Sequence, residues 1–421
     1  MGGRKRKNRA GLAAALGALL ILGACGTGEP QAAPQPQEPE EQKILGQGRF
    51  LAGGKSLLNQ EQRELLLGYF HSWYGSLARL ETGSLEEHFA LAGQEERDEA
   101  TLDYLIGVRK AQRTDLSLAD YAYTLDCVEA ADQEDGSLEV FLRLDDTQNF
   151  SAHPQVDSRT FGAEHLFVLE KGEAGWRIRS HRQLGSLGWM LSAGEGEAVA
   201  VGEGPADWWE QEEPGWDYYG RSLELQERAR EYTALRGTEA PIPALEAGNP
   251  YDRRAAVEYA RQWVGRRSED WPAYDLYGGN CQNFVSQCLA AGGIPMDTAG
   301  DHIWKWYGES PSVTAGAWGR SASWSAVGDF REYAAGNAGG WGLQAGVDAP
   351  YFSGEPGDIL QLGPAPGDLR HAVLITGVVA DGEGRTVDYL VASNTADLVD
   401  FPAGAYPYPY QSLIRIWGWN G

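Results

Sequence analysis

The stretch "GGNCQNFVSQCLAAGG" at 278–293 constrains the fold of this chain more than any other. Cys281, Phe284, Val285, Cys288 and Leu289 recur at i, i+3, i+4, i+7 and i+8, which lays one apolar stripe along a helix. Asn280 stands where an N-cap belongs, and Gly292, Gly293 and Pro295 end the helix. Such a helix must bury its stripe against another layer. Both cysteines lie on that stripe, and a free cysteine is often a small buried apolar residue; Cys288 is read that way. Cys281 differs because it sits in the first turn, where unpaired backbone N–H groups and the helix dipole favour an anion and lower a thiol's pKa. It is a candidate nucleophile.

A cysteine nucleophile needs a base. From residue 249 onward the chain holds two histidines, His302 and His371. His371 opens "HAVLITGVVA", a near-continuous apolar run that reads as a buried strand, after "GDILQL" and the turn "GPAPGD". A polar ring at the mouth of such a strand is placed to face a cleft. His302, in "AGDHIWKWYG", reads as a cleft-lining or surface residue. The next strand, "DYLVASNTAD", ends its apolar stretch at Asn394, whose side-chain carbonyl is placed to accept the other ring N–H of His371; the alternative is a turn residue. Trp304, Trp306, Tyr307, Trp318 and Trp324 crowd the segment between nucleophile and base, either as subsite walls for sugars or extended peptides or as ordinary packing.

The chain order Cys, His, Asn, with a helix ahead of antiparallel strands, resembles the papain-like superfamily in its CHAP and NlpC-like branch. It resembles more closely the putative amidase domain family of Gram-positive bacteria. The motifs that carry the resemblance are "YDRRAAVEYARQW", "NCQNFVSQCLAAGG", "WSAVGDFREY", "GDILQL", "HAVLITG" and "SNTADL", between Asn249 and Gly421. It implies a papain-like α+β fold, Cys281 as nucleophile, His371 as general base and then acid, Asn394 as orienter, and no cofactor. Members commonly show "DC" before the helix and "HT" at the third site, where this chain has Asn280 and Asn394. The Cys281 backbone N–H is the expected oxyanion donor, with Asn280 or Tyr274 as the second; Asp275, a carboxylate, only accepts and ranks last. No metal is expected, since the region has no His-x-x-x-His or CxxC spacing.

The N-terminus, "MGGRKRKNRAGLAAALGALLILGAC", has five basic residues and then an apolar run too short for a comfortable membrane span, the pattern of an export signal. Its "LGAC" resembles the lipobox of bacterial lipoproteins, which implies cleavage before Cys25 and lipid on that sulfur; the alternative is an ordinary signal peptide. The polar, Pro- and Glu-rich segment that follows reads as a tether to the bilayer. Processing would leave 30 basic against 60 acidic residues, a surface that repels nucleic acid and anionic headgroups. Besides Cys25 the cysteines are Cys127, Cys281 and Cys288, an odd number that argues against a disulfide scaffold.

Between these ends, "NQEQRELLLGYFHSWYGSLARL" has Asn59 and Gln62 at capping-box spacing and Leu66, Tyr69, Phe70, Trp73, Leu77 and Leu80 on one helical face. Strand patterns follow in "YAYTLDCVEA", "SLEVFLRLDD", "AEHLFVLE" and "WRIRSHRQL". The order resembles the cystatin-like, nuclear-transport-factor-like fold. Cys127 reads as buried filler, and His165 and His181 as structural or surface residues rather than metal ligands. The expected organisation is a signal peptide at 1–24, a tether at 25–48, an α+β accessory domain at 49–190, a linker with one helix at 191–248 and the hydrolase domain at 249–421. The accessory domain reads as a spacer or docking module separable from the chemistry. The function expected is a cell-surface cysteine hydrolase cleaving an amide bond of peptidoglycan, between muramic acid and alanine or within its peptides. The alternative is a non-catalytic lipoprotein that grips peptide or glycan.

Overall fold

The computed structural model describes residues 46, 48–53, 57–184, 216–275, 279–299, 303–309, 316 and 318–421. The expected signal peptide, Cys25, most of the expected tether and His302 lie outside them. The first half places α1 (Gln60–Arg79) and α2 (Glu96–Lys110) against strands β1 (Gly48–Phe50), β2 (Leu118–Asp132), β3 (Leu138–Phe150), β4 (Ser158–Gly172) and β5 (Gly175–Gln183). The expected capping box forms: the Gln62 N–H donates to Asn59 Oδ1 at 3.0 Å, and the Asn59 N–H to Gln62 Oε1 at 2.8 Å. Then come α3 (Tyr218–Leu235), α4 (Arg253–Trp263), α5 (Cys281–Ala291), β6 (Trp306–Tyr307), β7 (Gly319–Arg320), α6 (Ala322–Ser325) and α7 (Val327–Gly336). The chain finishes with β8 (Gly342–Ala349), β9 (Ile359–Gly363), β10 (His371–Ala380), β11 (Thr386–Ser393), β12 (Asp397–Pro402) and β13 (Tyr410–Asn420). This is a mixed α+β architecture, as the patterning implies.

The two halves share one sheet. Its order is β1-β2-β3-β4-β12-β11-β10-β9-β13-β8, with β5 also paired to β4. The joint is antiparallel, Asp397 opposite Phe161, Leu398 opposite Thr160 and Val399 opposite Arg159. One edge of β4 thus serves β12 near its start and β5 further along. The Ser158 hydroxyl, donating to the Asp400 carbonyl at 2.7 Å, adds a side-chain tie.

β10 is apolar on both faces because both faces are covered. Ala372 and Leu374 pack with Cys281, Phe284, Val285, Cys288 and Leu289 of α5. Val373 and Ile375, one residue out of phase, join Leu360, Val391 and Leu413 in a core continuous with Leu66, Phe167 and Leu142 of the first half. Leu225 and Ala229 of α3 belong to that core as well. The helix expected to lie within a linker is therefore a packed element, and the first half covers the second face of the C-terminal sheet.

Candidate active site

α5 enters from a turn in which the Asn280 side chain faces inward. Its Oδ1 accepts the Tyr274 N–H at 3.0 Å and Asn283 Nδ2 at 2.8 Å, while the Asn280 N–H donates to Thr395 Oγ1 at 2.6 Å. Asn280 makes no side-chain cap on the helix and braces the loop through its carbonyl instead. Cys281 is buried at the helix start, where the backbone N–H groups of Ala372, Gln282 and Cys281 favour the anion. Burial nevertheless dominates and pushes the thiol up to about 11, which corrects the expectation of a lowered pKa. The helix N-terminus offsets part of the cost of the anion, and the resting group is a thiol.

Ala372 of β10 packs with Cys281, and His371 is the residue before it, the first of that strand. The ring is buried, and burial drives its pKa down to about 3, so it rests neutral. Its Nε2 lies 2.9 Å from Ser393 Oγ and 2.6 Å from Tyr406 Oη. Its Nδ1 is buried without a hydrogen-bond partner. Tyr406 and Tyr408 lie against the ring, with centroids 5.4 and 6.0 Å from it.

Asn394 does not fill the role expected of it. It is buried directly after Ser393, but its Oδ1 has no hydrogen-bond partner, and hydroxyls take the place at the imidazole. Sequence reasoning missed both. Ser393 is the neighbour of the residue chosen, and Tyr406 lies in "AGAYPYPY", a segment with no strand or helix period to fix which side chain points inward. The turn from β11 to β12 is held by a pair of left-handed residues, Thr395 (φ 66°) and Ala396 (φ 48°), a conformation that costs free energy without glycine. Arg267 compensates by gripping both sides: Asp275 ahead of α5 at 2.9 and 2.6 Å, and Asp397 at the start of β12 at 2.8 and 3.1 Å.

Of the aromatic candidates, Trp304 and Trp324 are core residues. Their rings lie 4.8 Å apart, Trp304 Nε1 donates to Ser286 Oγ at 3.1 Å, and Trp324 Nε1 donates to Asn283 Oδ1 at 2.8 Å. Trp306 is half-buried and donates to the Tyr274 hydroxyl at 2.9 Å, which occupies that oxygen as an acceptor. Tyr307 and Trp318 are 46% and 64% exposed and stand near each other on the β6–β7 ribbon, where Tyr307 faces Gly319. These two remain available as surface aromatics. Cys288 is fully buried, as expected, and Cys127 is buried on β2.

The first half holds a polar cluster that the sequence reading did not foresee. Tyr69 Oη donates to Asp98 Oδ2 at 3.0 Å, His181 Nδ1 lies 2.9 Å from Asp98, and His181 Nε2 lies 2.9 Å from His165 Nδ1. Phe167 stacks on His181 at 4.2 Å, and burial together with His181 holds His165 well below its ordinary pKa. Among the described residues no group of three or more His, Cys, Asp or Glu side chains is arranged to hold a metal ion.

Residues 250–419 match the family model described as "Putative amidase domain". The family's description points to hydrolysis of amide bonds. A 75-residue stretch is 40% identical to the "Uncharacterized protein YhbB" of Bacillus subtilis (strain 168), covering 18% of this chain and 20% of that protein. The chain thus spans about a fifth of the length of that relative. A solved structure, the intermembrane space region of chloroplast protein ARC6, aligns over 31% of this chain and 99% of its own, at 15% identity and a TM-score of 0.21.

Proposed function

We propose that residues 249–421 carry a papain-like, cysteine-dependent amidase in which Cys281 is the nucleophile and His371 the base. The observations that support this reading are a buried thiol at the start of α5, packed with Ala372 of β10, and a buried imidazole at the first residue of that strand whose Nε2 faces hydroxyls and whose Nδ1 has no hydrogen-bond partner. With its proton on Nε2, donated to a hydroxyl oxygen, the ring has Nδ1 free as a base.

The chemistry follows from two neutral groups. His371 takes the thiol proton as the sulfur attacks the amide carbonyl, which spares the site a standing buried ion pair. The oxyanion forms at the start of α5, where the Cys281 N–H and the helix dipole stabilise it. The imidazolium then protonates the leaving nitrogen, the C–N bond breaks, and a thioester remains. Water, giving its proton to His371, attacks the thioester; the C–S bond breaks and the sulfur recovers the proton.

The substrate we assign is an amide of peptidoglycan, reached from the outer face of the bacterial cytoplasmic membrane through a lipid on Cys25. The basic, apolar, "LGAC" N-terminus and the Pro- and Glu-rich tether support that placement. The test is digestion of purified sacculi with the intact chain and with Cys281→Ala. New amino termini released only by the intact thiol are expected; equal release by both would remove Cys281 from the reaction.

A further inference from the structure

We infer that the N-terminal half is part of the catalytic apparatus, and that Tyr104 of α2 is a positioning residue that acts through Tyr406 on His371. This rests on the assignment of Cys281 and His371 proposed above.

The groups that hold the imidazole come from two segments, and the first half grips both. Ser393 lies at the end of β11, in the hairpin whose other strand, β12, pairs with β4. Tyr406 lies between β12 and β13, a stretch with no flanking ladder of its own apart from the one-turn helix Ala403–Ala405. There the Tyr104 hydroxyl, from a fully buried side chain, donates to the carbonyl of Pro407, the residue between the two tyrosines that lie against His371. Phe150 of β3 adds an edge-to-face contact with Phe401 at 5.5 Å, and Phe401 in turn meets Tyr406 at 6.4 Å.

A buried carbonyl that loses its donor must find another or reach water. Without the Tyr104 hydroxyl, the Tyr406–Tyr408 segment shifts toward solvent and loosens its cover over the imidazole. A hydrated His371 holds a proton more readily, and the Cys281 thiolate becomes easier to form beside it. The consequence is a more reactive but less well aligned thiol. A purely structural tyrosine would lower stability and leave this titration where it is.

The experiment is iodoacetamide alkylation of the full-length chain between pH 4 and 10, with peptide mapping, for the parent, Tyr104→Phe, Tyr406→Phe and the double variant. Cys288 and Cys127, both buried, serve as internal references for general loosening. Tyr104→Phe is expected to speed Cys281 labelling near neutral pH by about tenfold, the effect of one buried hydrogen bond, and to move its profile to lower pH. Cys288 and Cys127 should keep their parent rates, and Tyr104→Phe should add nothing once Tyr406 lacks its hydroxyl. The inference is overturned if Cys281 keeps its parent profile, if all three cysteines speed up together, or if the two substitutions multiply. Digestion of sacculi by the same four proteins and by Cys281→Ala separates the two claims. Persistent activity in Cys281→Ala would sink the catalytic assignment and the inference with it, whereas an inactive Cys281→Ala with multiplying tyrosine effects would sink the inference alone.

Discussion

Replacing Arg267 with Met removes the guanidinium that ties the loop before α5 to the hairpin after β11 while keeping most of the stem. The magnitude follows from exposure. The Asp275 carboxylate is 37% exposed, so water and salt reduce that half of the bridge to less than about 1 kcal/mol. Asp397 is 15% exposed and accepts two of the Arg267 bonds, a charge-assisted pair expected to contribute about 1.5–3 kcal/mol. Arg267→Met should therefore cost about 2–3 kcal/mol, measured by urea unfolding followed through tryptophan fluorescence. Asp397→Asn keeps an acceptor for the Thr395 N–H but loses the charge, and the two changes together form a double-mutant cycle. A coupling energy of about 1.5 kcal/mol or more is expected. A coupling within about 0.5 kcal/mol of zero would refute the reasoning, because the strained Thr395–Ala396 turn would then be held by something other than this bridge.

Removing both hydroxyls at the imidazole, by Ser393→Ala with Tyr406→Phe, should lower kcat/KM by about 10–100-fold with less effect on KM, whereas Asn394→Ala should cost less than either; steady-state kinetics on a released-amine assay decides. His371 has a folded-state pKa depressed to about 3, so its contribution to stability is present above the ordinary histidine value near 6.5 and is lost as pH falls toward 3. Against His371→Gln, the parent should lose on the order of 1 kcal/mol more per pH unit across that window in urea titrations, and parallel slopes would contradict the burial argument. A fragment of residues 249–421 uncovers Val373, Ile375, Leu360, Val391 and Leu413, together on the order of 10 kcal/mol of burial, and should fail to give a cooperative unfolding transition. Trp304→Ala should destabilise by about 3–5 kcal/mol, while Trp318→Ala, at an exposed position, should leave stability nearly unchanged in the same assay.

What the sequence disclosed and what it hid follow from the range of the interactions involved. The capping box at Asn59, the stripe on α5 and the strand opening at His371 are local patterns, and each appears where its period places it. The packing of the first half on the C-terminal sheet was not legible because "HAVLITGVVA" states only that both faces of β10 are covered. It does not say that one cover is supplied from Leu142 and Phe167, far back in the chain. The partners of the imidazole were hidden for a related reason. Ser393 is the last residue of β11 and Asn394 the first of the turn, and a register shift between Val391 and Ser393 breaks the alternation that would say which of them faces the ring. Tyr406 sits in an irregular segment held by a long-range bond from Tyr104 to Pro407, alongside a local contact with Phe401. The rise in the Cys281 pKa came from the same source: a helix N-terminus is legible in sequence, but the depth at which it lies is not.

The most direct measurement is mass spectrometry of an acid-quenched reaction between the full chain and soluble peptidoglycan fragments. The account predicts an acyl adduct on the peptide containing Cys281, removed by hydroxylamine and absent from Cys281→Ala. Turnover that proceeds with no adduct on Cys281, or an adduct that persists in the alanine variant, would contradict the thioester route.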